Sequence, residues 1–226
     1  MRYPWKKHSL EKHVEEEHSV KKHPVEKHAV KKQTVEKRVV EEHAMTMATQ
    51  QLDCPNGFPW RYADVTAADG CVTSVLFSNE KKTARPDTVT QTCCRQLQEY
   101  FAGQRTTFDL PLHQDATPFR RQVYARLLDI GYGVTRSYQH IAIAVGNPKG
   151  SRAVGMASSK NQISIIVPCH RVIATSGALT GYAGGLATKQ WLLAHERRHA
   201  VRTATASATT VAAADADAVS AGNRPL

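Results

Sequence analysis

The sequence predicts an α+β protein in two lobes: a small mixed lobe over residues 51–113 and a helical lobe over 114–199. Two observations decide this. β-rich segments cluster before residue 113, and capped helical patterns dominate from Thr117 onward. The ends, 1–50 and 200–226, differ in composition from the part between and are read as disordered extensions.

The first extension runs in pentads from Lys6 (KKHSL, EKHVE, EEHSV and so on). A five-residue period suits neither a helix stripe nor strand alternation, and Pro24 would interrupt a helix. Loose binding of divalent metal by its histidines, or of nucleic acid by its lysines, is the alternative; lysine and glutamate nearly cancel there. In the first lobe, Trp60 to Thr66 and Cys71 to Phe77 read as strands around the hairpin turn Ala68-Asp-Gly70. Thr88 to Ala102 is an amphipathic helix with Val89, Cys93, Leu97 and Phe101 on one face and Gly103 as its stop. Thr106 to Leu112 offers a further strand.

The second lobe opens with Thr117 as N-cap and Pro118 at the first helical position. Phe119, Val123, Leu127 and Ile130 line one face, and Gly131 ends the helix. Ser137 caps a short helix through Val145, Gly146 to Gly150 form a turn, and Ser151 caps a second short helix to about Ser159. Two short helices around a tight turn describe a helix-turn-helix, although many such pairs are plain αα-hairpins. A last helix is expected from Thr188 as N-cap, with Trp191, Leu192 and Ala194 on its apolar face.

Of the formal charge of +10, the pentad zone carries +3, and most of the remaining +7 lies in Arg120, Arg121, Arg126, Arg136, Lys149, Arg152, Lys160 and Arg171. That density points to a polyanionic partner, the alternative being a solvated basic face. Five cysteines, an odd number, argue against a disulfide framework and for a reducing compartment. The N-terminus is charged without an apolar signal region, and no apolar run approaches the ~18 residues of a membrane span. A soluble intracellular protein with no membrane partner is expected.

One stretch carries the chemistry. Ile163 to Ile173 is a continuous apolar run, read as a buried strand or extended segment, into which Cys169-His170-Arg171 is inserted. A thiolate is the reactive form of cysteine, and a nearby base generates it. Adjacent side chains on an extended chain point to opposite faces, so a bridging water is the natural proton route between Cys169 and His170. Glu196 is the only acid between Asp129 and residue 200, and hence the candidate to orient the imidazole. Against this stand an inert buried cysteine and a fragment of a zinc site, though no Cys-x-x-Cys or spaced histidine pair accompanies it.

Pro168-Cys-His-Arg-Val172 resembles the active-site motif of the O6-alkylguanine-DNA alkyltransferases, also called methylated-DNA–protein-cysteine methyltransferases. The resemblance extends in order and spacing from Pro118 to Glu196. It includes Ser137-Tyr-Gln-His-Ile, Asn147-Pro-Lys-Gly-Ser-Arg-Ala-Val-Gly155, Asn161, Gly181-Tyr-Ala-Gly-Gly-Leu186 and Trp191-Leu-Leu-Ala-His-Glu196. It implies a ribonuclease-H-like first lobe and a winged-helix-like second lobe carrying the helix-turn-helix and active-site loop. The implied activity is single-turnover, irreversible transfer of an alkyl group from O6-alkylguanine, less well O4-alkylthymine, in double-stranded DNA to Cys169. It implies a monomer without metal or other cofactor, nuclear in a eukaryote and otherwise cytoplasmic.

By the same resemblance Cys169, a water, His170 and Glu196 form the relay, and Asn161 braces the turn beneath the loop. The Tyr138 hydroxyl meets guanine N3. Backbone groups of Cys169, Val172 and Ala183, with Tyr182 beside them, hold the base. The target nucleotide is flipped out of the duplex by a helix in the minor groove, and Arg152 fills the vacated stack. Arg120, Gln139, Asn147 and Thr175 are further DNA contacts. Two positions depart from the pattern: Ala183 stands where some relatives have serine, and Asn161-Gln162 where Asn-Pro is frequent. The structural zinc of some relatives lacks support, since Cys54 and Cys71 have no convincing histidine partners. The rival readings are a non-catalytic alkylated-DNA lesion binder, which would lack the cysteine, and a cysteine hydrolase, which would need an oxyanion hole.

Overall fold

The computed structural model describes residues 47–200; the expectations for the pentads and for the Ala/Thr-rich tail lie outside the described residues. Three antiparallel strands, β1 (Ala48–Asp53), β2 (Tyr62–Ala68) and β3 (Cys71–Ser78), pair in the order β1-β2-β3. Strand β1 corrects the boundary drawn at residue 50. Its ATQQLD sequence carries little apolar signal, yet it pairs in continuous register from Ala48↔Ala67 to Asp53↔Tyr62. The β2–β3 hairpin closes through Asp69 and Gly70 with φ of 49° and 72°, the left-handed pair that a two-residue turn requires. Ala63, Val65, Val72 and Val75 point from it into the core.

Helix α1 (Thr88–Phe101) covers the sheet. Its cap is reciprocal: Asp87 Oδ1 accepts from Thr90 N at 2.7 Å, and Thr90 Oγ1 accepts from Asp87 N at 2.9 Å. Cys93, Leu97 and Tyr100 are wholly buried on its inner face. Thr106 to Leu112 is not a strand. It runs beside β3 with a single bridge at Leu112, through Val72 N to Pro111 O and His113 N to Val72 O. Pro111 has no N–H to extend the ladder.

Helix α2 (Pro118–Leu128) is capped by Thr117, and Val123, Tyr124 and Leu127 are buried. It stops with Asp129 as C-cap, before Gly131. The helix-turn-helix consists of α3 (Tyr138–Ala144), capped by Ser137, and α4 (Ser151–Ser159). Gly150, not Ser151, is the α4 N-cap. A Cβ there would lie 2.5 Å from the Asn147 side chain, so the tight turn excludes one, and Ser151 Oγ instead donates to Gln139 Oε1 across the pair at 2.8 Å.

The apolar run is not a strand either. Ile163 bridges to Val75, the chain folds back with Val167 N on Ile163 O at 3.0 Å, and Ile165 sits at φ 68°. A β-branched residue in the left-handed region is strained. Cys169–Arg171 then form a 3₁₀ turn, and β5 (Val172–Ile173) pairs in parallel with β4 (Arg136–Ser137). Burial on all sides makes such a run apolar whatever its backbone does. The last helix, α5, begins at residue 186, so Thr188 lies inside its first turn and does not cap it. Thr188 Oγ1 donates to Gly184 O and accepts from Trp60 Nε1 at 3.0 Å, which ties α5 to the first lobe.

Candidate active site

Cys169 opens the 3₁₀ turn and is 6% exposed. Asn161, at the end of α4, holds the loop on which it rides. Its Nδ2 donates to Val167 O at 2.8 Å and to Cys169 Sγ at 3.2 Å, while its Oδ1 accepts from Ile163 N at 3.1 Å. One buried amide thus pins both ends of the fold-back and directs an N–H at the sulfur. Gln114 Nε2 also donates to Asn161 Oδ1, at 3.2 Å, and Gln114 Oε1 accepts from Gln162 N at 3.1 Å. Those bonds brace the step where proline is frequent among the proteins this segment resembles.

His170 follows on a turn rather than on an extended chain, so the alternation expected of neighbouring side chains does not apply. It is fully buried, with Nε2 2.8 Å from Glu196 Oε1. A carboxylate is acceptor-only, so Nε2 carries the proton and Nδ1 is left as the basic nitrogen; Nδ1 has no partner within the protein. Glu196 also accepts from Tyr100 OH at 2.9 Å, from Arg171 Nε and Nη2 at 2.9 Å each, and from Gly133 N at 3.0 Å. Arg171 is therefore not part of the basic surface. It is buried against Glu196, with Nη1 on Ile130 O at 2.6 Å.

The electrostatics follow from this burial. Burial alone would raise the Glu196 pKa, but the hydrogen bonds and charges of His170 and Arg171 outweigh it and hold the carboxyl far below its ordinary value. Burial lowers the pKa of His170 against the pull of Glu196, so the imidazole rests neutral. Burial raises the pKa of Cys169, against the Asn161 hydrogen bond and the charge of Lys189, so the resting group is the thiol.

Lys189 has no carboxylate partner among the described residues and is fully buried. Its Nζ donates to Val172 O at 2.6 Å and Thr180 O at 2.9 Å, and lies 3.4 Å from Tyr138 OH. Sequence reasoning missed this residue. The signal was present: Lys189, Leu192 and Glu196 share one face at helical spacing, and a lysine on a buried face needs a reason.

A cavity of about 700 Å³ opens beside the turn. Tyr138, Gln139 and Arg152 from the helix-turn-helix line one side, and Thr175, Tyr182 and Ala183 the other. Six of the sequence-derived candidates therefore line one cavity. Cys169, His170, Glu196 and Asn161 are buried outside that lining. The Val172 carbonyl accepts from Lys189, which leaves one lone pair for a base. Arg120 on α2 and Asn147 in the turn do not line the cavity. A Cβ at Gly184 would lie 3.0 Å from the Tyr182 ring and 3.1 Å from Phe77, so a side chain there would press on both rings where the loop packs on the first lobe. Among the described residues no cluster of His, Cys, Asp or Glu suited to a metal ion occurs.

Residues 118–198 match the family model for the 6-O-methylguanine DNA methyltransferase DNA-binding domain, and residues 65–114 match its ribonuclease-like domain. The methylated-DNA–protein-cysteine methyltransferase of Methanosarcina acetivorans is 54% identical over 99 residues, 44% of this chain and 64% of that protein. The constitutive Bacillus subtilis protein of that name is 57% identical over 104 residues, 46% of this chain and 63% of that protein. The chain thus spans just under two thirds of the length of these curated relatives. A crystal structure of Mycobacterium tuberculosis O6-methylguanine methyltransferase superposes with a TM-score of 0.60 at 38% identity, covering 68% of this chain and 94% of that one. A complex of the Mycobacterium tuberculosis protein with DNA gives 0.59 at 39% identity, over 67% and 93%.

Proposed function

This chain belongs to the methylated-DNA–protein-cysteine methyltransferase family, and on that premise we propose that it repairs DNA by transferring the alkyl group of O6-alkylguanine irreversibly to Cys169. The observation that carries the reading is the His170–Glu196 pair at 2.8 Å, which leaves Nδ1 of His170 as an unpartnered base on the residue that follows Cys169, whose thiol Asn161 holds. A buried thiol cannot reach a stacked base, so the nucleotide must leave the duplex and enter the cavity. Arg152, exposed on α4 at the cavity wall, suits the vacated stack because a guanidinium both stacks and neutralises phosphate.

His170 Nδ1 takes the thiol proton through a water, and the imidazolium is stabilised by Glu196. The sulfur lone pair attacks the alkyl carbon; the S–C bond forms as the C–O6 bond breaks, and its electrons pass into the guanine ring. Tyr138, whose hydroxyl lies within reach of Lys189, supplies a proton to the departing base, and the proton held by His170 restores balance. Exchange of the proton supplied by Tyr138 from N3 to N1 through solvent gives guanine, and the thioether has no return path, so each molecule acts once. The relay is complete within one chain, which fits a monomer.

Intact and peptide mass spectrometry after mixing with a duplex containing one O6-methylguanine tests this. The expected result is a gain of about 14 Da on the peptide bearing Cys169, saturating at one per protein. Tight lesion binding with no gain would overturn the transfer reading in favour of a lesion binder.

A further inference from the structure

Nothing in the proposed chemistry uses the first lobe, yet its helix α1 reaches the relay. Tyr100 OH donates to Glu196 Oε1 at 2.9 Å, the oxygen that also accepts from His170 Nε2. Tyr100 is fully buried, and its ring packs on Tyr132 at 5.9 Å, Phe108 at 5.8 Å and His195 at 5.2 Å. Its carbonyl accepts from His195 Nε2 at 2.8 Å, so one residue of α1 holds two consecutive residues of α5. Burial, with Glu196 adding to it, raises the Tyr100 pKa well above the ordinary phenol value, so the hydroxyl remains a donor throughout the working pH range.

We propose that Tyr100 is a positioning residue of the relay: its hydroxyl fixes Glu196 Oε1 toward His170 and draws off part of the carboxylate charge, which sets the basicity of His170. This rests on the alkyl-transfer reading above. The titratable and charged groups around the pair are Tyr100 from α1, Tyr132 from the segment after α2, Cys169 and Arg171 from the active-site turn, Tyr182 from the loop before α5, and Lys189, His195 and Arg198 from α5. Of these, Tyr100 and Arg171 alone share Oε1 with His170. Removing the hydroxyl leaves more negative charge on Oε1, stabilises the imidazolium and raises the pH at which His170 loses its proton.

The test is Tyr100→Phe, which keeps the ring contacts and the carbonyl bond to His195. Single-turnover rates are measured from pH 5 to 9 on lesion duplex, beside wild type and Phe108→Leu, a packing change on the same ring. The expected result is an acid limb displaced upward by roughly half a pH unit in Tyr100→Phe alone, well within the worth of a hydrogen bond to a charged group, with lesion binding unchanged. An unmoved limb in Tyr100→Phe, or an equal displacement in Phe108→Leu, overturns the proposal and leaves Tyr100 a packing residue. Absence of transfer by wild type would instead sink the alkyl-transfer reading, so the two failures are distinguishable.

Discussion

At the scale of single residues, Lys189 serves both the thiol and the packing of the loop before α5. It is a buried cation held by two carbonyls, and it favours the thiolate of Cys169 while tying Thr180 to Val172. Lys189→Met keeps the volume and removes the charge. The Val172 carbonyl then lies buried without its donor, at a cost of about 1–3 kcal/mol, and the sulfur loses its nearby positive charge. Single-turnover assays are expected to show transfer slowed about ten-fold, equivalent to ~1.4 kcal/mol of barrier, at a melting temperature lowered by a few degrees. Loss of stability with undiminished transfer would place Lys189 among the purely structural residues. Arg171 teaches the reverse lesson. It reads as surface charge in the sequence, and packing alone assigns it to Glu196.

At the scale of elements, α4 presents Arg152, Gly155, Met156 and Ser159 outward or to the cavity and buries Val154 and Ala157. Arg152 sits in its first turn, where the sequence placed it, and no described acid competes for it. Arg152→Ala is expected to weaken DNA binding on lesion and plain duplex, to reduce the salt slope by about one phosphate contact, and to slow transfer further by impairing extrusion. Fluorescence anisotropy over a salt series, with 2-aminopurine as a reporter of extrusion, measures both. A full salt slope with normal extrusion would remove Arg152 from the DNA interface.

At the scale of the whole molecule, the two lobes meet on Glu196 and along α5. Acid stability reports that junction. Burial depresses the pKa of His170 below its ordinary 6.5, and the donors from His170 and Arg171 outweigh burial to depress that of Glu196 below its ordinary 4.5. In both cases the unfolded chain binds the proton more readily, so stability falls as pH falls. The His170 contribution is whole above about pH 6.5 and the Glu196 contribution above about pH 4.5, each lost on descent through the folded-state value. Melting temperatures from pH 8 to 4 are expected to decline first gently, then steeply. Glu196→Gln, which leaves Arg171 buried without its counter-charge, should cost about 3–5 kcal/mol and flatten the steeper part. A Glu196→Gln curve parallel to wild type would show that this carboxylate does not control acid unfolding.

Most of the local structure was legible because its causes are local. Asp69-Gly70 turns the hairpin, Thr117-Pro118 starts α2, Ser137 starts α3, and the face at Cys93 and Leu97 buries α1. The candidate nucleophile, base and carboxylate were legible from residue type and spacing, and the structure brings His170 and Glu196 together across 26 positions. What failed was read from apolarity alone. The run from Ile163 folds back because Asn161 and Val75 satisfy its backbone groups, and β1 exists because β2 offers it a partner. The sequence by itself determined which chemical groups this protein carries and which short segments coil or extend, since those depend on neighbours a few residues away. Only the tertiary structure decided that Arg171 serves Glu196, that Lys189 favours the Cys169 thiolate and that Tyr100 reaches the relay, because local spacing can mark a residue as buried but not name the distant partner it meets.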